Sequence, residues 1–212
     1  MNGGAAEAAL LTEMKRLAPP TVRLGCRMIG PNDEALLLPD EVAAITSRQP
    51  AARRASGTAR SLVRCLLALE DAEEGPIGRS PAGAPLWPRG FVGSLAHDAE
   101  MAVAAIARSV HVPSLGIDVE PAEPLPDDIA ALVLTSGDVL SGIDARFATR
   151  VLYSAKEAAY KAAYPLDGEI LGYEHINVDL ARREAVTAGG RRMRLSFCTL
   201  PRVVVLAAAV NG

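Results

Sequence analysis

The order of periodic segments along this 212-residue chain predicts an α+β fold. Two stretches, 50–72 and 143–164, carry apolar residues at helical spacing. Between and after them lie short strand-like runs, which do not alternate one-for-one with helices as a βαβ protein requires. Half of the residues are hydrophobic and 22% are charged, which is enough apolar material for a core and too little charge for general disorder. The length suits one domain, or two small halves sharing a core, expected here as 1–112 and 113–212.

The start, Met1 to Leu17, places Leu10, Leu11, Met14 and Leu17 at helical spacing and predicts a docked amphipathic helix. Thr21 to Ile29 alternates Val22, Leu24, Cys26 and Met28 as a strand does, and closes on the turn composition Gly30-Pro31-Asn32-Asp33. Pro39 and Asp40 open a short helix. Pro50 suits the first turn of a longer one to about Ala72, with Leu62, Cys65, Leu66 and Leu69 as its apolar stripe and Arg53, Arg60 and Arg64 largely off it. Residues 75–90 are Gly/Pro-rich loop. Phe91 to Leu95, Met101 to Ala107 and Ser114 to Glu120 read as strands, the last running into Pro121 to Pro126. A helix from about Ile143 to Tyr164 is expected to stop at Pro165. Strands near His175 to Asp179, Met193 to Cys198 and Arg202 to Val210 complete the chain. No repeat or linker-like boundary interrupts it.

Composition also excludes function classes. A net charge of -3 and 4% aromatics give no global field or stacking surface for nucleic acid. No run approaches the ~18 apolar residues of a membrane span. Glu7 and Glu13 lie where a signal peptide would be apolar. Cys26, Cys65 and Cys198 are odd in number and dispersed, so a reducing cytoplasm is the expected compartment. Of the 22 cationic side chains only Lys15, Lys156 and Lys161 are lysine, and two of those share one short segment.

Four clusters could carry chemistry. Gly116-Ile117-Asp118-Val119-Glu120 on a strand projects both carboxylates to one face, with Ile117 and Val119 toward a core. Neighbouring carboxylates repel, and a hard divalent ion such as magnesium relieves the conflict; the same spacing also describes a strand end with two hydrated acids. Ser154 to Lys161 places Glu157 and Lys161 one helical turn apart, either as an ordinary surface ion pair or as a metal carboxylate with a phosphate-neutralising lysine. Phe147, Val151, Ala155 and Ala162 supply the opposite apolar stripe. Gly93-Ser94-Leu95-Ala96-His97-Asp98 ends a strand where small residues admit an anion to backbone amides and His97 can donate to a phosphate, or serve only structure. Arg53, Arg54, Arg60, Arg64 and Arg79 form either a solvated face or an arginine clamp for phosphates. G-x-S-x-G, Walker and G-x-G-x-x-G patterns are all absent.

In order and spacing these segments resemble the 4′-phosphopantetheinyl transferases of the larger, monomeric kind that activate siderophore, peptide and polyketide synthases. The resemblance rests on Pro85-Leu86-Trp87-Pro88-Arg89-Gly90, Gly93-Ser94-x-x-His97, Gly116-Ile117-Asp118-x-Glu120-Pro121, and Ser154-Ala155-Lys156-Glu157-Ala158-x-Tyr160-Lys161-Ala162. Tyr164-Pro165-Leu166 and Leu171-Gly172-Tyr173-Glu174 extend it, so that it covers roughly Arg53 to the C-terminus.

It implies a pseudo-twofold α+β arrangement of two similar halves, with coenzyme A bound in the cleft between them. It further implies that Asp118, Glu120 and Glu157 gather around magnesium, and that a carrier-protein serine attacks the β-phosphate of coenzyme A. Glu157 matches the family's base and Lys161 its phosphate-neutralising cation. Arg53, Arg60, Arg79, Ser94, Ala96, His97 and Leu171 match coenzyme A contacts. Ala96 stands where Ser or Thr is common, Asp98 adds a negative charge beside the phosphate site, and Ala82 replaces a second basic loop residue. The expected partners are coenzyme A and apo acyl or peptidyl carrier proteins, which would dock on the segment between Pro121 and Ile143 through Leu132, Val133 and Leu134. Two rival readings remain. One is a non-catalytic coenzyme A or carrier-binding module, disfavoured by the presence of all three acids and Lys161. The other is a magnesium-dependent pyrophosphate hydrolase, whose acids come in denser clusters.

Overall fold

The computed structural model describes residues 3–210. Met1 and Asn2, expected in the first helix, lie outside the described residues, as do Asn211 and Gly212. Helix α1 (Gly3–Lys15) buries Leu10 and Met14, one turn apart, against strand β1 (Val22–Met28). After the short helix α2 (Pro39–Ala44) comes α3 (Pro50–Ala68), with Pro50 in its first turn, where its missing N–H costs nothing. Strands β2 (Phe91–His97) and β3 (Met101–Arg108) form a hairpin, and β1 pairs antiparallel with the other side of β3, giving the order β1-β3-β2.

Helices α1 and α3 lie on opposite faces of this sheet. Val103 and Ala105 pack with Leu10 and Met14, while Ala104 and Ile106 pack with Val63, Leu66 and Leu67. Because both faces are covered, Met101 to Ala107 are each at most 3% exposed, and the segment reads as one apolar run.

The apolar stripe expected on α3 is rotated in the structure. Leu69 is 71% exposed and Cys65 is on the surface, whereas Ala59, Val63, Leu66 and Leu67 are buried, and the helix ends at Ala68. The cause is a second contact along α3. Its flank packs on the 3-10 turn Asp33–Leu36, where the Thr58 hydroxyl donates to Asp33 Oδ2 at 2.7 Å.

The rest of the chain comprises β4 (Leu115–Pro121), α4 (Asp127–Val133), α5 (Ala145–Asp167), β5 (Ile176–Asp179), β6 (Glu184–Thr187), β7 (Arg192–Cys198) and β8 (Arg202–Ala209). Its antiparallel sheet runs β4-β8-β7-β6-β5. Among the described residues, two sheets with five α-helices make the expected α+β class. One face of β4 and β8, bearing Ile117, Val119, Val204 and Leu206, shares a core cluster with Val103, Ala105 and α1. The other face carries α5, whose apolar stripe of Phe147, Val151, Ala155 and Ala162 is buried as expected.

Two short elements go beyond the sequence expectations, and two local expectations are corrected. Helices α4 and strand β6, seven and four residues long, are too short to leave a period in the sequence. Val133, expected on a docking surface, is fully buried at the end of α4, while Leu132 and Leu134 are exposed. Pro165 does not stop α5, which continues to Asp167 and ends at Gly168, a left-handed cap whose N–H donates to Tyr164 O. A proline this close to the helix end forfeits a single helical hydrogen bond, and the packing of Ala162 and Ala163 outweighs it.

Two contacts set the spacing of the second half. Gly116 on β4 lies against α5 so closely that a Cβ would fall 1.8 Å from Ala158 O. The neighbouring helix positions, Ala155, Ala158, Ala159 and Ala162, are all small and fully buried. Lys156 is also fully buried. Its ammonium meets Asp138 at 2.7 Å, and donates to Val133 O and Tyr173 O at 2.9 Å and to Thr135 Oγ1 at 3.3 Å, binding two segments, 133–138 and the turn at Tyr173, to one helix position.

Gly116→Ala should therefore lower unfolding free energy by about 2 kcal/mol or more in denaturant titrations, since neither backbone can yield locally. Lys156→Met, which leaves Asp138 buried and unpaired, should cost roughly 3–5 kcal/mol by the same measurement.

Candidate active site

Strand alternation turns Gly116, Asp118 and Glu120 toward α5. On the facing helix Arg150, Ser154, Glu157 and Lys161 recur at intervals of four, three and four, which is one face of an α-helix. The Lys161 ammonium pairs with Asp118 Oδ1 at 2.6 Å and donates to Ile117 O at 3.2 Å. Its partner is thus the strand carboxylate, not the Glu157 one turn away. Arg150 donates to Glu120 Oε2 at 2.7 Å and to the carbonyls of Glu123 and Pro124 at 3.1 and 3.0 Å. Burial, and then repulsion from Asp118, push the Glu120 carboxyl above its ordinary value, against the pull of Arg150.

Glu157 is held separately. The Tyr173 hydroxyl donates to its Oε1 at 3.1 Å. Burial and the adjacent Glu157 charge push the Tyr173 phenol well above its ordinary value, so it stays protonated as a donor. Each of the three expected metal acids therefore has its own partner. Among the described residues, no three carboxylate, imidazole or thiol side chains are placed to share a metal ion. Yet Asp118 Oδ2 is buried without any hydrogen-bond partner, as is Ser154 Oγ, and an orphaned carboxylate oxygen beside a second, repelled carboxylate suits a hard cation.

A hollow of about 290 Å³ opens between the two halves. Arg79, Trp87, Ser94 and Leu95 line it from one side, and Tyr160, Lys161 and Tyr164 from the other. Arg79 is braced by its Nε–H donating to Gly83 O at 2.7 Å. Arg60, on α3, is buried and donates through Nε to Ile77 O at 3.1 Å, and burial lowers its pKa. Arg53 is half-buried one turn into the same helix. Arg64, by contrast, is consumed by the fully buried Glu41, at 2.5 and 2.6 Å, and by Leu36 O, so it is structural.

His97 is exposed at the end of β2. The methyl of Ala96 lies in the core cluster with Met101 and Val103. Asp98 accepts the N–H groups of Glu100 and Met101 at 2.8 Å and pairs with Arg202, so its charge is neutralised within the turn. Leu171 lines a second hollow of about 290 Å³ with Glu157, Tyr160, Ile170 and Tyr173.

Arg150, Arg202 and the hydroxyl of Tyr173 were not singled out from the sequence. Arg150 had a legible signal, since it continues the Ser154–Glu157–Lys161 face by one turn. Arg202 had none, because its partner Asp98 is distant in sequence and meets it only through packing of the two sheets.

Residues 40–107 match a family model described as the 4′-phosphopantetheinyl transferase N-terminal domain, and residues 114–203 match the 4′-phosphopantetheinyl transferase superfamily. The chain is 38% identical over 146 residues to 4′-phosphopantetheinyl transferase Svp of Streptomyces mobaraensis, covering 66% of this chain and 59% of that protein. It is 38% identical over 136 residues to 4′-phosphopantetheinyl transferase Npt of Nocardia iowensis, covering 58% of this chain and 59% of the relative. Against 4′-phosphopantetheinyl transferase PptT of Mycobacterium tuberculosis the identity is 35% over 145 residues, covering 66% and 64%. The match thus spans less than two thirds of the length of each relative. The two family models together span residues 40–203 except 108–113 and include every carboxylate and lysine of the cleft, and on that ground the chain belongs to the 4′-phosphopantetheinyl transferase superfamily.

Proposed function

We propose that this protein transfers 4′-phosphopantetheine from coenzyme A to a serine hydroxyl of an apo carrier protein of peptide, polyketide or siderophore synthesis. The observation that carries the reading is the Asp118–Lys161 pair at 2.6 Å, with Lys161 on the wall of a cleft lined by both halves of the chain. An ammonium has three donors. Two of those on Lys161 are committed to Asp118 and Ile117, which leaves one for a phosphate oxygen.

In the proposed reaction the serine oxygen bonds to the β-phosphorus, and the bond from that phosphorus to the bridging oxygen breaks. Phosphopantetheine is then joined to serine, and adenosine 3′,5′-bisphosphate leaves with the bridging oxygen. Serine is a weak nucleophile, so its proton must be taken as the bond forms, and Glu157 is the residue that would accept it. Lys161 stabilises the charge growing on the leaving phosphate. Arg53, Arg60, Arg79 and His97 bind the remaining phosphates and the adenine end, and Leu171 borders the pantetheine arm. Asp118 and Glu120, with Glu157 as a third carboxylate in the family pattern, are the residues that would hold magnesium. Bound there, the ion would neutralise the pyrophosphate.

Incubation of the pure protein with coenzyme A, magnesium and a set of fatty-acid, polyketide and peptide carriers should raise a carrier's mass by one phosphopantetheine. No mass gain on any of them would reject the reading. Glu157→Gln should lower the transfer rate by about 10²-fold or more without changing the melting temperature.

The raised pKa of Glu120 gives a second test. From the ordinary carboxyl value of 4.5 up to its raised folded value, the unfolded chain has lost a proton that the folded chain keeps. Stability from this group therefore falls as pH rises through that window, and magnesium, which favours the ionised carboxylate, opposes the fall. Thermal melts against pH should show the decline in the parent, less of it with magnesium, and none in Glu120→Gln.

A further inference from the structure

A tight turn and a phosphate site make opposite demands on position 98. The β2–β3 connection is closed by the Asp98 side chain, whose Oδ1 accepts the N–H groups of Glu100 and Met101 at 2.8 Å. An aspartate closes such a turn well, but it brings a negative charge to the residue after His97, which the proposed reaction assigns to coenzyme A. His97 Nδ1 lies 3.3 Å from Asp98 O, leaving Nε2 for that ligand. The Asp98 side chain is only 6% exposed, so water screens its charge poorly.

Arg202 resolves the conflict from the other half of the chain. It opens β8 opposite Pro121, one position from the Val203–Glu120 pair, and so lies at the end of β4. Its guanidinium forks between two carboxylates, with Nη1 donating to Asp98 Oδ2 and Nη2 to Glu100 Oε2. Both oxygens of Asp98 are thereby occupied, one by backbone and the other by a cation. Two carboxylates and one guanidinium leave a net charge of -1 beside His97, and it rests on Glu100, whose side chain is mostly in solvent. Removing the guanidinium charge doubles that negative charge and leaves half of it buried.

We infer that Arg202 is a positioning residue for coenzyme A, which cancels the Asp98 charge and so keeps His97 able to receive a phosphate. The inference rests on the phosphopantetheinyl-transfer reading for the identity of the ligand. It concerns binding of the co-substrate and not the chemical step, so the two kinetic constants separate it from a general loss of structure. Asparagine at position 98 separates charge from folding, because its side-chain oxygen still accepts the two turn N–H groups while the charge is gone.

The test uses the whole chain, with coenzyme A as the probe in calorimetry and coenzyme A with a carrier in transfer assays, all at one magnesium concentration. Arg202→Gln should bind coenzyme A about fivefold or more weakly than the parent. Its KM for coenzyme A should rise to match, while kcat changes by less than about twofold. Arg202→Lys, which keeps the charge, and Asp98→Asn should each bind at least as tightly as the parent to within about twofold. The Arg202→Gln, Asp98→Asn double variant should recover the parent affinity to within about twofold. Unchanged affinity in Arg202→Gln overturns the inference, and a double variant that stays weak makes Arg202 a packing residue of the β7–β8 turn only. Should Arg202→Gln fail to fold, fivefold weaker binding by either Arg202→Lys or Asp98→Asn overturns the inference, and parent-like binding by both with recovery in the double variant upholds it. A parent that binds coenzyme A but transfers to no carrier defeats the transfer reading, and the titrations still decide the role of Arg202. A parent that binds no coenzyme A removes both.

Discussion

Strand β4 and helix α5 touch backbone to backbone at Gly116 and Ala158, and the arrangement of the cleft depends on that approach. With no side chain at Gly116 and a run of alanines opposite, the two elements come close enough for short reach to suffice. Asp118, two residues along the strand, then meets Lys161, and Glu120, two further, meets Arg150. A helix held a few ångströms further away would leave these carboxylates facing a gap. Small residues at this interface are therefore a condition for the charged pairs, and not merely filler between them. The opposite face of β4 closes the same argument from behind, since Ile117 and Val119 are locked into the cluster that joins the two sheets.

Buried charge does a second job here, which is to fix loops that have little regular structure of their own. Glu41 is fully buried and accepts from Arg64 and from the N–H groups of Leu38 and Ile77, tying α2, α3 and the start of the long loop together. Lys156 does the same for the segments around Val133, Asp138 and Tyr173. Each group is paired and its remaining bonding capacity is taken up by backbone, which is the condition under which burying an ion is tolerable. Such pairs are conformationally specific, since carbonyls displaced from the ammonium leave it stranded. Arg202 acts similarly at the surface, joining β8 to the β2–β3 turn and cancelling the charge of Asp98 beside the exposed His97.

The legibility of the sequence followed the length scale of each signal. Strand β4 was readable because two-residue alternation assigns Ile117 and Val119 to one face and Asp118 and Glu120 to the other with no further information. The apolar stripe of α5 was readable for the same reason at helical period. The buried face of α3 departs from its periodic stripe because a second partner, the Asp33–Leu36 turn, buries a flank that the sequence shows as small and polar. Lysine scarcity drew attention to Lys156 and Lys161 together, yet their fates are opposite, one wholly enclosed and the other on the wall of the cleft. Five positions along an α-helix rotate a side chain by about 140°, so nearness in sequence says little about shared function.

What the sequence by itself determined is therefore local and periodic: an α+β order of elements, the faces of β4 and α5, and a family resemblance carried by ordered motifs that the family models also match. Which partner each charge takes was decided only by tertiary structure. Lys161 bonds across to Asp118 and not along its helix to Glu157, Glu120 is claimed by Arg150, Arg64 is withdrawn into the core by Glu41, and Glu157 is given to Tyr173. The physical reason is that a charge selects among neighbours by distance and desolvation, and both are set by how closely elements remote in the chain can pack.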